Sequence, residues 1–430
     1  MIDRLLALET FGVKLGLDNI TRLCAALGHP ERAFTALHVA GTNGKGSVTA
    51  MAHAALVAAG LRAARYTSPH LSDLRERFVI GDQPVDGAAL EAVADEVLDC
   101  AYRLRAAGTL AALPTFFEAA TAMAFELFRR EGVEVAVVEV GLGGRFDATN
   151  VLAPAVGAIT SIGLDHQEHL GDAVAAIAFE KAGIIKAGMT VVTGALPEDA
   201  AVVVARVARE RGATIVPASA GSRVSSRIDA GRATVTIDTP EDRYGPVTLA
   251  LRGDHQIGNA LVTVRLLEAA RRAGISIARD AIAHGLAAAV WPARLELLSR
   301  PDGRRLLLDA AHNPDGARAL AAYLRRWHPD RLPLVFGVMR DKDVESMLRA
   351  LLPVTGSVTA TAADTPRALP ADVLAERILD IDPGRAVRID PDPVHAVDAA
   401  LQQATLVCVA GSIVLAGEVR DALGPRVILH

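Results

Sequence analysis

The stretch Leu37-His38-Val39-Ala40-Gly41-Thr42-Asn43-Gly44-Lys45-Gly46-Ser47 constrains the fold more than any other part of this chain. An apolar strand runs into a glycine-rich turn that closes on a lysine and a hydroxyl. Such a turn aims backbone N–H groups inward, sets a helix N-terminus against an anion and adds a point positive charge, so it reads as a nucleotide phosphate cradle. Gly41, Gly44 and Gly46 stand where a side chain would block that approach. The spacing departs from the standard phosphate loop: the gap after the first glycine is shorter, and Gly46 is inserted between Lys45 and Ser47. A plain strand-to-helix turn is the competing reading, and context has to decide.

At 430 residues the chain exceeds the roughly 250–300 residues at which one hydrophobic core stops growing, so two domains are expected. Hydrophobic residues at 51% and charged ones at 22% describe a globular chain rather than a disordered one. The net charge of -5 comes without a long basic run, which argues against a nucleic-acid partner. Cys24, Cys100 and Cys408 are spaced for neither a disulfide framework nor a zinc site, and suit a reducing compartment. No signal-peptide pattern opens the sequence and charges interrupt every apolar run before membrane-spanning length, so the expectation is a cytoplasmic protein with no membrane partner.

Apolar β-rich runs alternate with helical periodicity, which predicts an α/β protein with parallel sheets flanked by helices. Strands are expected at 34–40, 134–140 and 156–162, with a helix at 45–60 behind the loop. In an open α/β sheet the strand ends line the ligand crevice, which places Glu139 and Asp165-His166 beside the loop. Short alternating segments at 224–251 predict an antiparallel insertion or sheet extension, and 278–289 reads as helix. Trp291-Pro292-Ala293-Arg294 then breaks the chain. A second α/β alternation follows, with strands at 305–309, 332–336, 357–361 and 405–410, so the domains are expected at 1–294 and 295–430.

Chemistry-bearing residues cluster at the expected strand-to-loop transitions: Thr67-Ser68-Pro69-His70, Glu139 to Asp147, Asp165-His166 and Phe179 to Ile184. Phosphoryl chemistry uses magnesium held by hard oxygens, commonly one or two carboxylates plus phosphates. Glu139, at the end of an apolar strand, is the best such carboxylate, with a strand-end ion pair to an arginine as its alternative. His166 taken alone is a structural histidine as readily as a ligand. Lys181 taken alone is a solvated helical lysine, although Gly183, Ile184 and Ile185 after it mark a tightly packed helix end.

Taken together, Ala40 to Ser47, Ser68-Pro69-His70-Leu71, Glu139 to Asn150, Asp165-His166, Glu180 to Ile184 and Asp309-Ala310-Ala311-His312-Asn313-Pro314 resemble the folylpolyglutamate synthase/dihydrofolate synthase branch of the Mur ligases, in order and over nearly the whole chain. The resemblance implies a P-loop NTPase-like central domain followed by a C-terminal Rossmann-like domain. It also implies an ATP-dependent ligase that adds L-glutamate to dihydropteroate or to reduced folates through an acyl phosphate. Gly44, Lys45, Gly46 and Ser47 would cradle the phosphates, with Asn259, Arg294 and Asp309 also reaching the nucleotide. Ser68 and Glu139 would hold one magnesium ion and His166 a second. Lys181 matches a lysine that is carbamylated in the family, an inversion that turns a cation repelled by metal into an anion that helps to place it. Lys45, Lys181, His166 and Arg294 are therefore the catalytic set the resemblance implies.

By the same resemblance Leu17-Asp18-Asn19-Ile20, Thr115-Phe116-Phe117-Glu118 and Phe146-Asp147-Ala148 line the pterin site. Phe116 and Phe117 are equally natural as helix-core residues. Asp147-Ala148 favours dihydrofolate synthase activity beside polyglutamylation, so a bifunctional enzyme is expected, with a monofunctional folylpolyglutamate synthase as the alternative. His312 and Ser412 are candidates for the glutamate side, and a monomer is the family-based expectation. A cell-wall Mur ligase is less favoured, because such enzymes carry a substantial domain before the phosphate loop, which here begins at Gly41. A nucleotide-gated switch explains the loop but not Lys181 and Arg294.

Overall fold

The computed structural model describes residues 4–5, 8, 16–165, 167–423 and 428–429. The chain divides into two compact units, one of Met1–Ser226, Val235–Ala250 and Ile257–Ala289, the other of Arg227–Thr234, Leu251–Gln256 and Val290–His430.

The first unit is built on a sheet of eight strands, β1 Thr35–Ala40, β2 Ala63–Tyr66, β3 Phe78–Ile80, β4 Gln83–Pro84, β5 Val135–Glu139, β6 Val156–Ile159, β7 Thr190–Thr193 and β8 Thr214–Pro217, in the order β4-β3-β2-β5-β1-β6-β7-β8. β2, β5, β1, β6, β7 and β8 run parallel, and β3 and β4 turn back along one edge. β1 is buried from its second residue and β5 throughout, as expected for central strands covered on both faces. β5 and β6 flank β1 on opposite sides, so the chain reverses its direction of winding there. That is the switch point at which open α/β sheets leave a crevice. The register pairs Val39 with Glu139, Ala40 with Ile159 and Tyr66 with Val138, so the loops after β1, β2, β5 and β6 leave the sheet at the same edge.

One large apolar cluster joins the helices Asp18–Ala26, Gly87–Ala106 and Phe116–Arg130 to one side of this sheet. Its aromatic members meet as pairs, Tyr66 with Phe78 at 5.7 Å between ring centroids and Phe34 edge-on to Phe128 at 5.5 Å; each such pair contributes about 0.5–1.5 kcal/mol beyond its buried area. A second cluster packs the Val174–Ala182 and Glu198–Glu210 helices against β6 and β7.

Strands β9 Arg223–Asp229, β10 Arg232–Asp238 and β11 Arg243–Thr248 form a three-stranded sheet in the region expected to break the α/β alternation. Tyr244 on β11 donates to Glu268 at 3.0 Å, and Arg265 holds the other oxygen of the same carboxylate at 2.6 Å.

The second unit carries β12 Glu296–Ser299, β13 Arg305–Asp309, β14 Leu334–Phe336, β15 Val358–Ala360, β16 Val387–Ile389, β17 Leu406–Ala410 and β18 Ile428–Leu429 in the order β16-β15-β14-β17-β13-β12-β18. Five strands are parallel, and β12 runs antiparallel between β13 and β18. Among the described residues no helix is long and apolar enough to cross a membrane.

Candidate active site

The loop after β1 is fastened by backbone and hydroxyl groups of the loop after β6. Thr42 N donates to Ser161 O at 2.7 Å, Asn43 N to Ser161 Oγ at 3.0 Å, and Thr160 Oγ1 to Asn43 O at 2.6 Å. Thr42 Oγ1 accepts from Gly163 N at 3.1 Å. A strand over the whole of 156–162 is not what forms: β6 stops at Ile159, because Thr160 and Ser161 spend their polar groups on the loop after β1. Gly44 ends the loop at φ 85, a left-handed conformation that a side chain disfavours, and a Cβ there would stand 2.5 Å from Asn259 Oδ1. The structure thus brings Asn259, distant in sequence, against the loop within the first unit. The helix Lys45–Ala58 begins at Lys45 with no side-chain cap, which leaves its first N–H groups facing the loop. Gly46 and Ser47 are buried in its first turn.

Two lysines converge on one carbonyl. Lys45 Nζ donates to Gly41 O at 3.1 Å and to Thr42 O at 3.2 Å, and Lys181 Nζ donates to Gly41 O at 2.8 Å. Lys181 is 5% exposed. Its burial, with the Lys45 charge beside it, lowers the Lys181 ammonium to about 7, against the opposing pull of Asp165 and Asp147. A solvated helical lysine is therefore not what the fold makes of this residue.

The glycine-rich loop after β5 sits on the helix end that carries Lys181. Arg145 N donates to Glu180 O at 2.8 Å, and Asn150 Nδ2 bridges Arg145 O at 2.9 Å and Gly183 O at 3.1 Å. A Cβ on Gly183 would lie 2.3 Å from Arg145 Cα, where only backbone could give way. Gly183→Ala is expected to lower the stability of the protein by roughly 1–3 kcal/mol, the usual cost of overpacking. Urea unfolding checks this, and an unchanged midpoint would show that the loop yields without cost.

Glu139 closes β5 as a buried carboxylate, with the Arg65 guanidinium as a favourable charge nearby. Ser68, after β2 at the same sheet edge, has a buried Oγ with no hydrogen-bond partner among the described residues. An orphaned hydroxyl and a buried carboxylate are hard oxygens of the kind magnesium takes. No cluster of three His, Cys, Asp or Glu side chains suited to a metal occurs among the described residues. His166 lies outside the described residues.

The segments expected to line a pterin site meet in the core of the first unit. Leu17, Ile20, Phe116, Phe117 and Ala148 belong to the apolar cluster or pack on it. Asp18 is exposed, and Asn19 is buried in the first turn of its helix. Phe117 lies 6.1 Å from the Tyr66 ring and fills the space over Gly141, and Arg77 stacks over Phe116 at 5.1 Å. Thr115 and Glu118 form a reciprocal helix cap: Thr115 N donates to Glu118 Oε2 at 2.8 Å and Glu118 N to Thr115 Oγ1 at 3.2 Å. The Thr-x-x-Glu spacing carried that signal in the sequence. Arg145 stacks on Phe146 at 4.2 Å. Asp147 is buried and accepts from Leu142 N at 2.8 Å, Thr149 N at 3.0 Å and the Thr149 hydroxyl; burial raises its pKa against those bonds.

In the second unit Arg294 stands between two non-glycine residues of positive φ, Ala293 at 53 and Leu295 at 47. Such conformations cost about 1–3 kcal/mol each and persist only where the surroundings over-determine them. Here Glu296 Oε2 accepts from Ala293 N at 2.9 Å, and the buried Asp309 accepts from Leu295 N at 2.8 Å and Ala311 N at 2.9 Å. Arg294 itself donates to Ala293 O at 2.9 Å. His312 Nδ1 lies 2.8 Å from Ala310 O, and Ser412 Oγ accepts from Val414 N at 3.1 Å at the start of the Ile413–Leu423 helix.

Two family models match the chain, the Mur ligase middle domain over residues 103–267 and the Mur ligase glutamate ligase domain over residues 293–413. A dihydrofolate synthase/folylpolyglutamate synthase of Bacillus subtilis is 33% identical over 421 residues, covering 96% of each chain. A probable bifunctional folylpolyglutamate synthase/dihydropteroate synthase of Halobacterium salinarum is 39% identical over 97% of this chain, and the chain spans 50% of that relative's length. Among solved structures, Mycobacterium tuberculosis folylpolyglutamate synthase complexed with ADP and AMPPCP superposes with a TM-score of 0.91 at 34% identity, covering 98% of this chain and 99% of that one.

Proposed function

We infer the reaction from the family to which this chain belongs, the dihydrofolate synthase/folylpolyglutamate synthase family of the Mur ligases: ATP-dependent ligation of L-glutamate to dihydropteroate and to the glutamyl tail of reduced folates. The observation that carries this reading is the pair of lysines, Lys45 and Lys181, held on the Gly41 carbonyl at the sheet edge where Ser68 and Glu139 also end. A carboxylate acylates poorly. Attack of its oxygen on the γ-phosphorus releases ADP and leaves an acyl phosphate; the glutamate amine then attacks the acyl carbon, phosphate departs and the amine loses a proton. The enzyme's task is to place these groups and offset the negative charge of phosphoryl transfer.

The nucleotide phosphates are assigned to Gly44, Lys45, Gly46 and Ser47, with Asn259, Arg294 and Asp309 as further nucleotide residues. Ser68 and Glu139 are assigned to one magnesium ion, and His166 with carbamylated Lys181 to a second; the hard, buried oxygens of Ser68 and Glu139 fit that metal. Magnesium when bound neutralises phosphate charge. The Leu17–Ile20, Thr115–Glu118 and Phe146–Ala148 segments are assigned to the pterin-bearing acceptor, and His312 and Ser412 to glutamate. A cytoplasmic monomer is the form proposed.

Product analysis by mass spectrometry tests the reading, with ATP, glutamate and either dihydropteroate or a reduced folate. Glutamate is expected on both acceptors. Addition to reduced folate alone makes the enzyme monofunctional, and phosphate release that ignores acceptor and glutamate overturns the ligase reading.

A further inference from the structure

The Thr149 hydroxyl stands between two buried polar groups. Its Oγ1 donates to Asp147 Oδ1, and His38 Nε2 lies 2.8 Å from the same oxygen. A hydroxyl has one proton, so Thr149 must accept from His38, and His38 must carry its proton on Nε2. His38 Nδ1 is buried and has no hydrogen-bond partner among the described residues. Burial holds this ring neutral, with Lys186 as a further opposing charge, and lowers its pKa to about 3.

A histidine in the middle of the central strand, with one nitrogen left unbonded, is costly where valine or isoleucine would pack freely. The other nitrogen starts a one-way chain of donors, His38 to Thr149 to Asp147, in which each bond polarises the next toward the carboxylate. Asp147 in turn holds Leu142 N and Thr149 N, which folds the segment between them into its closed shape. The phosphate loop is fastened separately, through Thr160 and Ser161.

We propose that His38 and Thr149 are positioning residues for the pterin-bearing acceptor, which fix the Asp147 carboxylate and with it the Phe146–Ala148 segment, while leaving nucleotide binding to the loop after β1. This rests on the reading above that the segment meets that acceptor. Neither residue touches substrate; both act through Asp147.

The test compares Thr149→Val and His38→Leu, which break the chain, with Thr149→Ser and His38→Gln, which keep a hydroxyl and an ε-nitrogen donor. The breaking variants are expected to raise the acceptor KM roughly tenfold, the scale of one lost hydrogen bond to a charged group. The ATP KM should stay at the wild-type value, and the conservative variants should stay close to wild type in both. An unchanged acceptor KM, or an equal rise for ATP and acceptor, overturns the proposal. Nitrogen-15 NMR of imidazole-labelled wild-type protein gives a second measurement that needs neither substrate nor a folded variant. A neutral His38 with its proton on Nε2 is expected, and a proton on Nδ1 overturns the proposal. A wild-type protein that ligates glutamate to neither acceptor refutes the proposed function instead, and the tautomer still reports on the chain of donors.

Discussion

Lys181→Ala is expected to lose about 10²–10³-fold in turnover, the scale of removing one preorganised group from a transition state, and a small carboxylate such as acetate is expected to restore part of it. The argument starts from geometry. Lys181 is 5% exposed and shares the Gly41 carbonyl with the half-buried Lys45, so two like charges are held close together with one of them buried. An ammonium there would be repelled further by magnesium. The proposed carbamylation would remove the conflict: the ammonium gives up a proton, the neutral lysine nitrogen bonds to the carbon of carbon dioxide, a second proton leaves, and an anion with two oxygens replaces the cation. Alanine deletes that group and leaves room, and an added carboxylate returns the oxygens. Full activity without supplement refutes the role of Lys181. Loss without rescue refutes the carbamate and leaves a lysine acting as a cation. Unfolding in urea separates both from a failure to fold.

The loop at 41–47 and the Lys181 helix end were legible because glycine and lysine are spent there against ordinary packing logic. Glu139 was legible for a similar reason, as a charge at the end of a strand that is buried throughout. What escaped was legible only as something else. Thr160 and Ser161 continue an apolar strand in sequence, and only the neighbouring loop reveals that their hydroxyls belong to it. β12 and β16 were missed because β12 pairs antiparallel at the rim of the parallel core and β16 is a three-residue, largely exposed edge. His38 looked like one more residue of an apolar strand. Its partner Thr149 lies 111 positions away, and no local pattern encodes a contact of that separation.

Lys45→Ala is expected to cost about 10³-fold in kcat/KM, equivalent to roughly 4 kcal/mol of transition-state stabilisation, with no recovery on adding acetate. Lys45 is the first residue of its helix, and its ammonium is held by the carbonyls of Gly41 and Thr42. Those two bonds poise a compact charge over the N-terminal turn, where terminal phosphates are proposed to lie. Their loss costs the fold little, because neutral carbonyls partner a half-buried group at about 1 kcal/mol, so the urea midpoint should scarcely move. Lys45→Arg should fail almost as completely. A planar guanidinium fork does not reproduce a point charge between two carbonyls of one tight turn. The two lysines are thereby separable by one pair of assays: ATP binding should fall steeply in the Lys45 variants, while rescue by carboxylate should be confined to Lys181→Ala. Rescue of Lys45→Ala by acetate, or unweakened ATP binding in it, would overturn the assignment of Lys45 to the phosphates.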